Sequence, residues 1–285
     1  MIRKRRATVK AKRIAKKVSF YVTVVLLMIF CVFPFYWMIV CSLKTIQELF
    51  RVIPTLIPSR PILTNFSELL KTTFYPSWFA NTAIVALCTT GICILVATLA
   101  AYSLSRYRYR GRLAVSNFIL FVYMFPPILL AIPLYFMAIR FRLTNTLSVL
   151  IITYIAQALP YVVWLLRAFF NTIPVQMEEA AMIDGASGLQ VIRKIVLPLA
   201  LPGIIATTVF CLNLAWNEYL FALFFISSND KKTIPLGLMS FITTKTEMWG
   251  LIFAGSVLSA IPILLLFFYI QKFLIEAWGS GGMKG

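Results

Sequence analysis

Acidic side chains are scarce in this chain and unevenly placed. It carries nine Asp and Glu against 27 Lys and Arg, and no histidine. Three of the acids, Glu178, Glu179 and Asp184, crowd into one short segment, and a fourth, Glu218, stands in an apolar stretch beside Asn213, Trp216 and Asn217. Without histidine, no Ser–His–Asp or Cys–His set can form within the chain. The five cysteines (Cys31, Cys41, Cys88, Cys93, Cys211) contain no C-x-x-C pair, so a zinc site is not expected. There is no G-x-x-x-x-G-K-[ST] phosphate loop and no Gly-rich turn for a dinucleotide. The sequence therefore offers no catalytic residue, no metal site and no cofactor site. What it offers is binding chemistry. Acids beside small residues suit docking into a protein groove. Amide and carboxylate acceptors beside an indole suit either a polyhydroxylated solute or hydrogen bonds between membrane helices.

The elements that position these groups follow from composition. Of 285 residues, 61% are hydrophobic and only 13% charged, where an ordinary soluble domain is about half apolar and about a quarter charged. Mean hydropathy is +0.89. A helix needs about 20 apolar residues to cross a bilayer, and six stretches qualify: Val18–Ser42, Trp78–Ser105, Ala114–Ala138, Thr146–Phe169, Leu201–Ser227 and Leu251–Ile270. None alternates as a barrel strand would. The expected fold is all-α, a polytopic membrane protein of six spans. Residues 1–17 form a basic arm, 18–275 the transmembrane domain with a loop at 171–200, and 276–285 a Gly-rich tail. Within the spans, Pro34, Pro126, Pro127, Pro160 and Pro262 are expected to break or bend helices.

Charge sets the orientation. The arm holds nine basic residues and no acid. With that end cytoplasmic, nine more basic residues (Arg106, Arg108, Arg110, Arg112, Arg167, Arg193, Lys194, Lys272, Lys284) fall on the same side, against nine spread over longer outside loops. Both termini are then expected to be cytoplasmic. The net charge of +18 marks topology rather than nucleic acid, with membrane lipid as the natural contact of the arm. The apolar run after the arm is too long for a signal-peptide core and reads as a retained span.

The loop before the fifth span reads Glu178-Glu179-Ala180-Ala181-Met182-Ile183-Asp184-Gly185-Ala186-Ser187, reaching Ile195-Val196-Leu197-Pro198. Pro174 can start a helix, the glutamates suit its first turns, Gly185 lets the chain turn, and a second short helix is expected to end at Pro198. This segment resembles the E-A-A loop of binding-protein-dependent ABC importer permeases, whose pattern is E-A-A, three residues, Gly, nine residues, I-x-L-P. Phe79-Ala80-Asn81-Thr82, Leu143-Thr144-Asn145-Thr146 and Ala215-Trp216-Asn217-Glu218 extend the likeness. Thr233-Ile234-Pro235-Leu236-Gly237-Leu238 resembles the T-x-P-x-G-L of carbohydrate-class permeases, and Gly279 to Gly285 resembles their Gly-rich tail.

The resemblance implies the smaller permease subunit of a maltose-type importer in a bacterial or archaeal inner membrane. It would work with a second permease subunit, two ATPase subunits that hold ATP and Mg, and an extracytoplasmic binding protein that delivers a sugar. It implies that Glu178, Glu179, Ala180, Ala181, Asp184, Gly185, Ile195, Leu197 and Pro198 form the ATPase-coupling loop, with Glu179 paired to a base of that ATPase. It implies that Thr233, Pro235, Leu236, Gly237 and Leu238 belong to an outside loop probing the binding protein, and that Gly281 to Gly285 reach between the ATPase subunits. Asn213, Trp216, Asn217 and Glu218 are the candidates for the translocation path, with helix–helix bonding as the competing role. Import of glycerol-3-phosphate or another polar solute fits the same motifs. A self-contained secondary transporter would need paired intramembrane charges, and a membrane enzyme would need clustered carboxylates or histidine; neither pattern is present.

Overall fold

A computed structural model of the chain describes residues 2–242 and 248–281, with side chains described for residues 13–14, 16–242 and 248–271. Every regular element in these residues is helical. Helix α1 (Ile2–Ser42) carries the basic arm straight into the first span, and α2 (Ile46–Leu49) and α3 (Thr64–Thr72) follow beyond it. The second span is α4 (Tyr75–Arg106). Helices α5 (Arg112–Tyr123) and α6 (Pro127–Arg140) form a pair bent by 95°. After α7 (Leu147–Thr172) come α8 (Val175–Ile183) and α9 (Gly188–Val191), a π-helical turn at Ile192–Val196 and α10 (Leu197–Leu199). Beyond a 74° bend the chain continues as α11 (Leu201–Asn217), α12 (Leu220–Phe225), α13 (Ile234–Met239) and α14 (Trp249–Gly281).

Among the described residues four helical segments can cross a bilayer alone, Lys16–Ser42, α4, α7 and Trp249–Gln271, and the number is up to six if each bent pair is one span. The chain is an all-α polytopic membrane protein. The third span breaks at Phe125–Pro126 as expected, because Pro126 has no N–H to continue the ladder past Phe125. Two expectations need correction. The fifth span does not run unbroken to Ser227: helix α11 stops at Asn217, Glu218 is extended (φ −68°, ψ 128°), and α12 starts two residues on. Nor does Pro198 end the second loop helix. The π-turn shifts the ladder, with the Leu197 N–H bonding Ile192 O, and the chain stays helical to Leu199.

Helix α4 is the central element, packing most extensively on α7 and then on α11; α1 packs chiefly along α14. Small buried residues (Cys93, Ala97, Ala101, Ala158, Cys211) let these backbones approach closely. At Gly203 an added Cβ would lie 2.4 Å from the Phe169 ring. The cysteines are free; Cys41, Cys93 and Cys211 are buried, whereas Cys31 and Cys88 lie on exposed helix faces. Apolar side chains such as Phe20, Leu26 and Phe30 face outward. In hydrocarbon this exposure costs nothing, since lipid tails are as apolar as leucine.

Candidate functional site

The loop at 174–200 is built from local signals. Gly185 adopts φ +87°, a region an L side chain enters at a cost of about 1–2 kcal/mol. This allows the Gly185 N–H to bond Met182 O (3.1 Å) and the Ala186 N–H to bond Ala181 O (3.0 Å), closing α8 in a Schellman turn. Ser187 and Gln190 then form a capping box that opens α9, with the Ser187 N–H on Gln190 Oε1 at 2.8 Å.

The two neighbouring glutamates face different ways. Glu178 is 3% exposed; its Oε1 accepts from Arg106 Nε at 2.5 Å and its Oε2 from the Tyr102 hydroxyl at 3.0 Å. Arg106 also donates through Nη2 to Ile173 O at 3.1 Å. Glu179 is exposed, as are Ala180, Met182, Asp184, Gly185 and Pro198, while Ala181, Ile195 and Leu197 are half-buried. Ile183 is 86% exposed and Leu189 75%. Apolar groups this bare, on a loop that also exposes two acids, form a surface that a protein partner would cover.

The four translocation candidates divide between two roles. Asn213 and Asn217 are exposed on one face of α11, where Asn217 Nδ2 donates to Asn213 O (2.9 Å) and Oδ1 (3.0 Å). Trp216 is buried, donating from Nε1 to Ser259 O and Oγ at 3.2 Å and lying edge-on to Phe79. Glu218 is buried too; its carboxylate accepts from the Phe221 N–H (2.8 Å) and the Ala222 N–H (3.2 Å). It thus satisfies free N–H groups at the start of α12, which hydrocarbon would leave bare.

Thr233 to Leu238 form the start of a packed helix rather than a free loop. Thr233 and Leu236 are buried, Pro235 and Leu238 are half-buried, and a Cβ on Gly237 would lie 2.2 Å from the Trp78 ring. Thr233, Leu236 and Gly237 thus anchor this helix to the chain's own core. The Phe79–Thr82 segment holds this anchor: Asn81 Nδ2 donates to Asp230 O (2.8 Å) and Lys232 O (3.0 Å), and the Ile234 N–H donates to Thr82 Oγ1 (2.8 Å). Of the tail, Gly281 ends α14 and residues 282–285 lie outside the described residues, as does Thr244 beyond the anchor.

Sequence reasoning missed Arg106 and Tyr102, which it counted only as topology charge and span. It also missed Gln157, on a cavity of about 210 Å³ between the α5–α6 bend and Pro160, whose Oε1 is buried without a hydrogen-bond partner. Asn145 was noted but not its work. At φ 57°, its Oδ1 accepts from the Ser227 (3.2 Å) and Ser228 (3.1 Å) N–H groups and its Nδ2 reaches Ser228 Oγ (2.6 Å), stapling α6–α7 to the end of α12. An asparagine at a loop apex was the available signal, since it tolerates the left-handed region.

Comparisons with known proteins agree with this architecture. Residues 93–278 match the family described as binding-protein-dependent transport system inner membrane component. The chain is 36% identical to the inner membrane ABC transporter permease protein YcjP of Escherichia coli, over 96% of this chain and 99% of that one. It is 33% identical to the trehalose/maltose transport system permease protein MalG of Thermococcus litoralis, again over 96% and 99%. Among solved structures, a chain of a bacterial ABC transporter involved in the import of the acidic polysaccharide alginate superposes with a TM-score of 0.75 at 23% identity, covering 91% of this chain and 97% of that one.

Proposed function

This chain belongs to the family of binding-protein-dependent transport system inner membrane components, and on that premise we propose that it is the smaller permease subunit of an ATP-binding-cassette importer for a sugar or oligosaccharide. An extracytoplasmic protein delivers the solute, a second permease subunit completes the path, and separate ATPase subunits supply the energy. Both termini and the 174–200 loop lie on the cytoplasmic side. The sugar class follows the trehalose/maltose relative and the exposed amide pair Asn213–Asn217, whose acceptors suit hydroxyl donors.

The observation that carries the reading is the loop tip. It projects bare Ile183 and Leu189, with exposed Glu179 and Asp184 on the same loop, while Schellman turn and capping box hold its shape. Apolar anchors ringed by charge fit a groove in the ATPase, where Glu179 meets a basic side chain. Closure of the ATPase pair then moves the spans as rigid bodies. The test is Glu179→Lys in the complete reconstituted importer. Reversing this charge should cut import by at least about tenfold while the protein still inserts. Wild-type import and wild-type solute-stimulated ATP hydrolysis in that variant would refute the docking role.

A further inference from the structure

Resting on that docking reading but going beyond it, we propose that Glu178, Arg106 and Tyr102 are positioning residues. Together they form the internal joint through which movement of the coupling helix α8 is passed to α4 and α7 as one rigid body.

The geometry is that of a joint rather than a surface contact. A single guanidinium on the last residue of α4 holds Glu178 of α8 through Nε (2.5 Å) and the carbonyl of Ile173, just past the end of α7, through Nη2 (3.1 Å). The second carboxylate oxygen is taken by the Tyr102 hydroxyl at 3.0 Å, one turn earlier on α4. Tyr102 in turn lies edge-on to Phe170 of α7. Three helices therefore meet at one buried pair, with side chains only 8% and 3% exposed, where salt and water screen little. Bonds to ionised partners are the strong ones. It is the one ion pair found among the described residues. A buried pair adds little net stability over an apolar packing, so stability is a poor reason for spending the charge here; fixing one helix against two others is a better one. The helices it grips, α4 and α7, are the most extensively packed pair in the chain. Onward from α8 to α11, by contrast, the chain runs through a π-turn and a 74° bend. Load entering α8 at Glu179 and Ile183 thus has a direct polar route into α4–α7.

The experiment measures solute imported per ATP hydrolysed by the complete importer in proteoliposomes, for Glu178→Gln, Arg106→Gln, their double variant and Tyr102→Phe. Glu178→Gln is expected to assemble at wild-type stoichiometry and keep ATP hydrolysis within about twofold, while import per ATP falls about tenfold. The double variant should lose no more than either single, because both break the same joint. Tyr102→Phe, which keeps the packing, should lower the ratio about two- to fivefold. An unchanged ratio in Tyr102→Phe and Glu178→Gln overturns the proposal, as does a double variant whose losses multiply. If Glu178→Gln fails to assemble, Tyr102→Phe alone decides by the same ratio. Normal import by Glu179→Lys would instead remove the docking reading, whatever the joint variants do.

Discussion

Glu178 and Glu179 are consecutive acids in one helical turn, yet the 100° between successive helical residues sends one inward and the other outward. Nothing local distinguishes them. The decision is made by Arg106, more than seventy residues earlier, which is why the motif was legible in the sequence and the division of labour inside it was not. Gly185 was fully legible, because only glycine takes φ +87° cheaply. Nothing stands within 4 Å of where its Cβ would be, so a side chain there is opposed by backbone strain alone. Gly185→Val should therefore destabilise the loop by about 1–2 kcal/mol or more, and Gly185→Asn should cost less, since asparagine enters this region more readily. Hydrogen exchange of the Gln190 and Val191 amides, downstream of the turn, would report the difference; equal protection in the two variants would contradict it. In the loop after the first span, Glu48 shows the same dependence on remote partners. The Ser59 N–H, then the Thr55 and Ser59 hydroxyls, hold its carboxyl below the usual carboxylate range. Whatever this contributes to loop order is complete above the ordinary carboxylate pKa and is lost as pH falls through the lowered one.

At the scale of elements, hydropathy located the four helices that can cross a bilayer alone and the bent α5–α6 pair, because apolar length is what a bilayer requires, but it could not place the breaks equally well. Pro126–Pro127 announced the 95° bend through a missing donor. The break at Glu218 had no such punctuation: an acid in a membrane helix reads equally as a solute ligand, a bridge between helices or a cap. The structure shows the cap, and with it the reason α12 can start inside the apolar region. Glu218→Leu leaves the Phe221 and Ala222 N–H groups unpaired, at about 1–3 kcal/mol for each buried donor. It should lower the thermal stability of the detergent-solubilised protein, and Glu218→Gln, which keeps an acceptor, should recover part of the loss. A Glu218→Leu protein as stable as wild type would show that the cap is dispensable. The π-turn before Pro198 was also invisible, since no residue in Ile192–Val196 marks it.

At the scale of the molecule, the proposed topology puts the basic arm and the exposed coupling tip on one side of the membrane and the Asn145 staple with the Thr233 anchor on the other. With the five native cysteines replaced, Ile183→Cys should react with a membrane-impermeant maleimide only in inside-out vesicles and Val52→Cys, 99% exposed, only in right-side-out cells. The reverse pattern would invert the topology argued from Lys and Arg. The pairing of α1 with α14 bears on how the protein is made. About 200 residues separate the end of the first helix from the start of its principal partner, so at about 5–20 residues per second the nascent α1 waits about 10–40 s before α14 emerges. Through that interval lipid, or an insertion factor, must hold the anchor that the finished fold holds last.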